Sequence, residues 1–120
     1  MIGTSAADGA STSDDGFERV ARVSDVPEGG LLGLRLSSGE RVCLYRLGER
    51  LGAVSDICTH QEFEISLGTL LPDGTVECAW HGAVFDCATG AVRKGPAVDP
   101  LPVFTVRVEG GDVLVRTARL

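Results

Sequence analysis

The chain has few histidines, few aromatic residues and no long apolar run, and each shortage narrows the classes of protein that it could represent. Of its 120 residues only two are histidine, and 5% are aromatic. No segment approaches the roughly eighteen apolar residues that a membrane helix needs, so we expect no membrane-embedded part. The formal net charge of −6 argues against nucleic acid or an anionic membrane surface as a partner.

The first sixteen residues also lack the features of a targeting segment. Residues 1–16 are small and polar, with no basic residue and no apolar run, so no secretory or twin-arginine signal is visible. Such a segment buries too little apolar surface to fold by itself, and we expect a disordered N-terminal tail. A cytoplasmic location is the corresponding expectation.

From Phe17 onward the pattern is one of short apolar segments with period-two alternation, separated by turn residues, which predicts an all-β domain. Residues 17–120 are expected to form this single domain, with residues 56–86 inserted as a separate unit around a hairpin at Pro72-Asp73-Gly74. The predicted strands are Phe17–Val23, Leu31–Leu36, Arg41–Leu47, Leu51–Ser55, Val103–Val108 and Val113–Val115.

Two predictions about strand faces follow from the alternation. Phe104, Val106 and Val108 are expected to share one face toward the core. In the strand from Arg41 to Leu47 the alternation leaves both faces open, because Val42 and Leu44 compete with Cys43 and Tyr45 for the buried side.

Both histidines belong to two motifs that also contain thiols. Cys58-Thr59-His60 is followed after seventeen residues by Cys78-Ala79-Trp80-His81-Gly82. Two thiolates and two imidazoles suit zinc or iron-sulfur chemistry and exclude calcium or magnesium. A structural zinc site usually takes its cysteines as one pair and its histidines as another. Here each pair is mixed, as expected if each motif supplies one ligand to each of two irons.

These motifs resemble the two boxes of Rieske [2Fe-2S] proteins. Ile65-Ser66-Leu67-Gly68 resembles the remainder of the first box, and Phe85-Asp86 with Thr89-Gly90 resembles that of the second. Gly95-Pro96-Ala97 and Pro100-Leu101-Pro102 resemble the proline-containing loop that closes over the cluster. The resemblance implies a Rieske fold, an antiparallel β-sandwich base with an inserted cluster-binding subdomain, and a [2Fe-2S] cluster. It also implies that the inner iron is held by Cys58 and Cys78 and the outer, more exposed iron by His60 and His81.

The implied function is that of a ferredoxin serving an aromatic-ring dioxygenase system. Such a protein is a one-electron carrier and not an enzyme. It is expected to be a monomer that accepts electrons from a flavin- and NAD(P)H-dependent reductase and passes them to a terminal oxygenase. Two alternatives stay open: a Rieske-type accessory or small subunit of a larger reductase or iron-sulfur assembly system, and a structural zinc module that binds a partner.

Departures from the respiratory Rieske proteins point to a low reduction potential. Those relatives carry an extra cysteine in each box, forming a disulfide between the loops, and a serine whose hydroxyl donates to a cluster sulfur. This chain has Ala79 beside the second-box ligands and Ala83 at the serine position. Without that donor the potential is expected near the bottom of the range of about −150 to +300 mV.

The remaining candidate residues have bland interpretations as well as functional ones. Cys43 lies within a predicted strand and Cys87 follows Phe85-Asp86, so both are expected to be small packing residues. A disulfide between them is the alternative, and it is disfavoured in a reducing cytoplasm. Trp80 is expected either to wall the cluster pocket or to pack in the core. Glu62 and Glu64 are solvated charges, or else an acidic rim for a basic partner surface.

Overall fold

A computed structural model describes residues 16–58, 64–79, 82–95 and 99–116. In these segments the chain forms antiparallel strands and two short 3-10 helices, Val23–Asp25 and Ile65–Leu67, so the all-β prediction is confirmed. Within these segments no helix is long and apolar enough to cross a membrane. The strands are β1 (Phe17–Arg22), β2 (Leu31–Arg35), β3 (Arg41–Leu47), β4 (Arg50–Ser55), β5 (Thr69–Leu70), β6 (Thr75–Glu77), β7 (Val84–Asp86), β8 (Val92–Lys94), β9 (Val103–Phe104), β10 (Val106–Glu109) and β11 (Asp112–Arg116).

Two sheets form a sandwich that is the base of the molecule. One sheet has the strand order β9-β4-β3-β2, and the other has the order β10-β11-β1. Apolar side chains from both sheets meet between them, as alternation along each strand requires. This base core consists of Val26, Leu36, Val42, Leu44, Ala53, Phe104, Val113 and Val115.

A third sheet, with the order β5-β6-β7-β8, is inserted between β4 and β9 in the chain. Its first hairpin turns at Pro72-Asp73-Gly74, as predicted, and the Leu71 amide donates to the Thr75 carbonyl over 2.8 Å. The sheet continues through β8, beyond the predicted end of the inserted unit at residue 86. Its buried side belongs to a second apolar cluster, here called the loop-side core: Cys43, Tyr45, Val54, Cys58, Ile65, Leu70, Val76, Cys78, Ala83, Phe85, Cys87 and Leu101.

Strand β3 lies between the two cores, which explains why its alternation gave no answer. Val42 and Leu44 belong to the base core, whereas Cys43 and Tyr45 belong to the loop-side core. All four side chains are buried. A strand that is covered on both faces reads as a continuous apolar run, so neither face of β3 was the wrong choice.

The C-terminal hairpin differs from the prediction at one face. The expected strand Val103–Val108 is divided at Thr105, since β9 pairs with β4 and β10 pairs with β11 in the other sheet. Phe104 is buried and Val106 packs against the base core, but Val108 is 47% exposed, so its predicted burial is wrong. Val108 lies on an edge strand close to the Gly110-Gly111 turn, where no second sheet covers it.

Most strand ends fall within one residue of their predicted positions. β1 ends at Arg22 because the chain turns into the 3-10 helix at Val23, and β2 ends at Arg35. The predicted tail, residues 1–16, lies outside the described residues except for Gly16.

Candidate metal centre

The first motif occupies a loop that is closed at its base by backbone pairing. Cys58 lies three residues after the end of β4, and Ile57 forms an antiparallel bridge with Glu64. The Ile65 amide donates to the Asp56 carbonyl over 2.8 Å, next to that bridge on the side away from the loop. Cys58 is therefore the first residue of the loop and is 2% exposed. Residues 59–63, which include His60 and Glu62, lie outside the described part of the chain.

Polar side chains brace both ends of this first loop. Asp56 is 3% exposed, and its carboxylate accepts from the Ser66 amide over 2.7 Å and from the Ser66 hydroxyl over 3.1 Å. Burial raises the pKa of Asp56 above its ordinary value, although the bonds from Ser66 and the charge of Arg41 oppose the shift. Glu64 is ion-paired with Arg41 of β3, so its charge is already neutralised within the molecule.

The second motif is also closed at its base by a backbone hydrogen bond. Cys78 follows β6 and is 1% exposed, and its amide donates to the Ala83 carbonyl over 2.7 Å. Gly82 has a φ of 73°, a left-handed conformation that suits glycine at the end of so tight a loop. Trp80 and His81 lie outside the described residues, so neither role considered for Trp80 is decided.

A close backbone approach brings the two loops side by side. Gly68, at the end of the first box, lies against the carbonyl oxygen of Glu77, the residue before Cys78. Thr69 and Glu77 are paired in the β5–β6 ladder. As a result Cys58 and Cys78, which are twenty positions apart, both point into the loop-side core.

The remainder of the second box forms a tight turn after β7. The Asp86 carboxylate accepts from the Ala88 and Thr89 amides over 2.9 and 3.2 Å and pairs with Arg93 over 2.7 Å. The Arg93 guanidinium holds the pKa of this carboxyl below its usual range, with help from the two amides. The turn thereby fixes the position of Gly90.

Gly90 connects this turn to the proline-containing loop. Its carbonyl accepts from the Leu101 amide over 2.8 Å. Its φ of 79° favours glycine, and a Cβ atom at this position would collide with the Leu101 carbonyl oxygen. Leu101 itself is 2% exposed within the loop-side core. The stretch from Pro100 to Pro102 is thus anchored beside the two cysteines, whereas Pro96 and Ala97 lie outside the described residues.

The other two cysteines are packing residues, as predicted. Cys43 and Cys87 are both buried, and both are free thiols. Burial raises the pKa of Cys87 to about 11, with a contribution from the Asp86 charge. Burial also raises the pKa of Cys43 strongly. Both groups are therefore protonated at neutral pH, the form in which a thiol packs well and binds metal poorly.

The residues that are present fit a mixed thiolate and imidazole centre. Cys58 and Cys78 are buried without a disulfide, and each starts a loop in which the sequence places a histidine two or three positions later. Ala83, fully buried beside the second loop, offers no side-chain donor to a sulfur. Among the described residues no three His, Cys, Asp or Glu side chains form a metal site, and both histidines lie outside that set.

Three residues that brace the first loop were not identified from the sequence as parts of the site. The sequence predicts Arg41 as the first residue of a strand, Asp56 as the first residue of the inserted unit and Ser66 as a member of the first box. The available signal was an isolated aspartate two residues before Cys58 and a serine ten residues after that aspartate. Only the folded chain shows that the two side chains are bonded.

Comparison with known proteins gives consistent similarities. A family model described as Rieske [2Fe-2S] domain matches residues 16–105. The 3-phenylpropionate/cinnamic acid dioxygenase ferredoxin subunit of Escherichia coli (strain K12) is 41% identical over 93 residues, which are 78% of this chain and 86% of that subunit.

Solved structures show the same similarity. The ferredoxin of carbazole 1,9a-dioxygenase from Nocardioides aromaticivorans IC177 is 31% identical, with a TM-score of 0.77 over 81% of this chain and 93% of that ferredoxin. A chain from the complex of reduced oxygenase and oxidized ferredoxin in carbazole 1,9a-dioxygenase is also 31% identical. It has a TM-score of 0.81, over 89% of this chain and 98% of that one.

Proposed function

This chain belongs to the Rieske [2Fe-2S] domain family, and we propose that it passes single electrons from a flavin- and NAD(P)H-dependent reductase to a terminal oxygenase. The family implies a [2Fe-2S] cluster, and relatives that are named as ferredoxin subunits are electron carriers, not catalysts. Family membership therefore decides for the iron-sulfur cluster and against the structural zinc module.

The observation that carries the proposal is the burial of Cys58 and Cys78 at the starts of two adjoining loops. In the proposed centre these two thiolates hold the inner iron. His60 and His81, the second ligand of each loop by sequence, hold the outer iron. When bound, the cluster supplies reversible one-electron reduction, and neutral imidazole ligands make that reduction easier than four thiolates would. The complete ligand set opposes the alternative of a small subunit of a larger reductase, whereas an iron-sulfur accessory protein would use the same cluster and is separated by the partners that it reduces.

The surroundings of the two cysteines favour a low potential within the Rieske range. Hydrogen bonds to cluster sulfurs raise the reduction potential, and Ala83 contributes none from its side chain. Carboxylates such as Glu77 near the second loop also disfavour the addition of an electron. We expect a midpoint below about +100 mV, and a value well above it would contradict this account.

The names of the relatives support a terminal oxygenase as a partner, and the charge of the loop-bearing unit suits both proposed partners. Between residues 56 and 94 there are six acidic residues and two basic ones, whereas residues 17–55 have five acidic and six basic. The negative charge thus lies where the loops are, which suits a basic docking surface on the reductase and on the oxygenase. Leu67, 61% exposed beside the first loop, adds an apolar contact. We infer a monomer in the cytoplasm that docks transiently with each partner.

The test of this function is spectroscopic. Absorption and electron paramagnetic resonance spectra are recorded for the purified protein before and after dithionite, with iron and sulfide counted. A reddish-brown oxidised form and the reduced signal of a mixed histidine and cysteine two-iron centre are expected. Reduction by a reductase and re-oxidation by an oxygenase then identify the role. A colourless protein that contains zinc would overturn the proposal.

The four cysteines provide a matched test of the ligands. Cys58→Ala and Cys78→Ala are expected to lose the cluster, whereas Cys43→Ala and Cys87→Ala, which remove equally buried thiols, are expected to retain it. His81→Cys is expected to lower the potential, because a thiolate adds negative charge to the centre. An unchanged potential in a cluster-loaded His81→Cys protein would count against ligation by His81.

A further inference from the structure

Two polar contacts at the ends of the first loop have no counterpart at the second loop among the described residues. The first is the bond between the Asp56 carboxylate and Ser66, and the second is the ion pair between Arg41 and Glu64. We call these four residues the loop clamp. Asp56 stands two positions before Cys58, and Glu64 and Ser66 follow the loop, so the clamp joins its entry to its exit.

The clamp also fastens the loop to the base of the molecule. The Asp56 amide donates to the Arg41 carbonyl over 3.1 Å, so the main chain of β3 holds the entry while the Arg41 side chain holds the exit. Gly33 of β2 forms the floor. A Cβ atom at Gly33 would lie 2.5 Å from the Ser66 hydroxyl and 2.9 Å from the Asp56 carboxylate. Only glycine leaves room for this bond.

The two halves of the clamp differ in their exposure to water. The Asp56 carboxylate is buried, and a buried charge that loses a donor is costly, so this half is expected to be the stronger. The Arg41 and Glu64 side chains are 32% and 41% exposed and border an open cavity of about 290 Å³. Their attraction is therefore weaker and is screened by salt.

We propose that the loop clamp is a positioning device, which holds the entry and the exit of the first loop, and with them the ligand Cys58, in place for the cluster. This inference rests on the proposed function, since it concerns one of the proposed ligands. Because the clamp consists of hydrogen bonds and an ion pair, its strength depends on ionic strength and not on redox conditions.

Glu64→Gln tests the ion pair, with Glu109→Gln as its matched control. Glu109 pairs with Arg107 over 2.7 Å on the base hairpin, so the control breaks an ion pair of the same type away from the loops. Cluster-loaded proteins are mixed with a ferrous chelator at low salt, and bleaching is followed. Glu64→Gln is expected to lose its cluster about threefold faster than the wild type, and Glu109→Gln at the wild-type rate. Added salt should accelerate the wild type but leave Glu64→Gln nearly unchanged.

Ser66→Ala tests the buried half, with Ser37→Ala as its control. Ser37 also donates through its amide and its hydroxyl to one carboxylate, that of Glu18, but on the exposed surface of the base. Ser66→Ala is expected to accelerate cluster loss about tenfold, since the Asp56 carboxylate loses a donor in a buried site. Ser66→Ala should also raise the rate of amide hydrogen exchange in peptides spanning 56–67 and broaden the electron paramagnetic resonance signal of the reduced protein. Ser37→Ala should do neither.

The outcomes separate this inference from the proposed function. If the wild type shows no Rieske-type signal, the proposed function fails. A second outcome is that the signal is present while the clamp variants match their controls in cluster loss, hydrogen exchange and the width of the electron paramagnetic resonance signal. In that case the clamp does not position the loop, and the inference is overturned. A faster loss with an unchanged signal and unchanged exchange at 56–67 would also refute positioning, because it would reflect general destabilisation.

Discussion

Gly68 contributes to the site through the side chain that it lacks. A Cβ atom there would collide with the carbonyl oxygen of Glu77, which lies in a strand and has no room to retreat. The φ of Gly68 is −90°, so the left-handed conformation that favours glycine is not the reason for glycine. The reason is the close approach of the exit of the first loop to the residue that precedes Cys78.

Gly68→Ala is expected to destabilise the protein by about 3 kcal/mol, the upper end of the usual cost of overpacking, because the obstacle is backbone. Gly48→Ala is the control, since a Cβ there meets open space and the variant is strained only by a φ of 64°. That strain costs about 1 kcal/mol. Thermal unfolding and cluster loss are measured for both. Rapid cluster loss is expected for Gly68→Ala alone, and equal behaviour of the two variants would contradict the role of the approach.

At the scale of the element, strand β3 contributes buried side chains to both cores. Its odd and even positions are equally buried, so a polar atom on either face costs free energy, but only one face adjoins the cysteines of the site. Adjacent positions on β3 therefore separate the stability of the base from the integrity of the centre.

Val42→Thr and Cys43→Ser make this separation measurable, because each replaces a fully buried group by a hydroxyl of similar size. Val42→Thr is expected to destabilise the fold by about 1–3 kcal/mol, the cost of burying a hydroxyl without a partner. Cys43→Ser is expected to cost less, because the Cys43 thiol donates to the Leu44 carbonyl over 3.7 Å and a serine hydroxyl keeps that acceptor. Cys43→Ser should in addition accelerate cluster loss, since Cys43 belongs to the same core as Cys58 and Cys78. Cluster loss that is equally fast in Val42→Thr would show that general stability, not the loop-side core, controls retention.

Sequence alternation predicted most strands because each strand face is a local property. It did not predict the burial of Val108, because an edge position depends on what the opposite sheet covers. It left β3 undecided for the same reason. The Asp56–Ser66 bond and the Arg41–Glu64 pair join residues ten and twenty-three positions apart, and no periodicity reports such contacts. Cys58 and Cys78 were predicted as ligands because thiol and imidazole spacing expresses coordination chemistry directly.

At the scale of the whole molecule, acidic and basic residues are distributed unevenly along the chain. The stretch that contains both loops is strongly acidic, while the first part of the base has nearly equal numbers of acidic and basic residues. Glu64 contributes less than its sequence position suggests, because Arg41 neutralises it. Glu77 lies beside Gly82 of the second loop. Among the described residues, no basic side chain forms an ion pair with it. It is therefore a carboxylate beside the second loop that is available to a basic partner.

Electron exchange with either partner is accordingly expected to slow as salt is added, by on the order of tenfold between low and high ionic strength. Glu77→Gln should slow the low-salt rate and flatten its salt dependence, whereas Glu49→Gln, on the β3–β4 turn of the base, should change neither. Stopped-flow reduction by the reductase measures both, and the midpoint potential is measured alongside, because removing a charge near the cluster also alters the driving force. A changed midpoint potential alters the rate at every salt concentration, whereas a lost docking contact alters how steeply the rate falls with salt. The salt dependence therefore distinguishes docking from driving force. If the rates of Glu77→Gln and Glu49→Gln depend equally on salt, the partners do not approach the acidic unit that carries the loops.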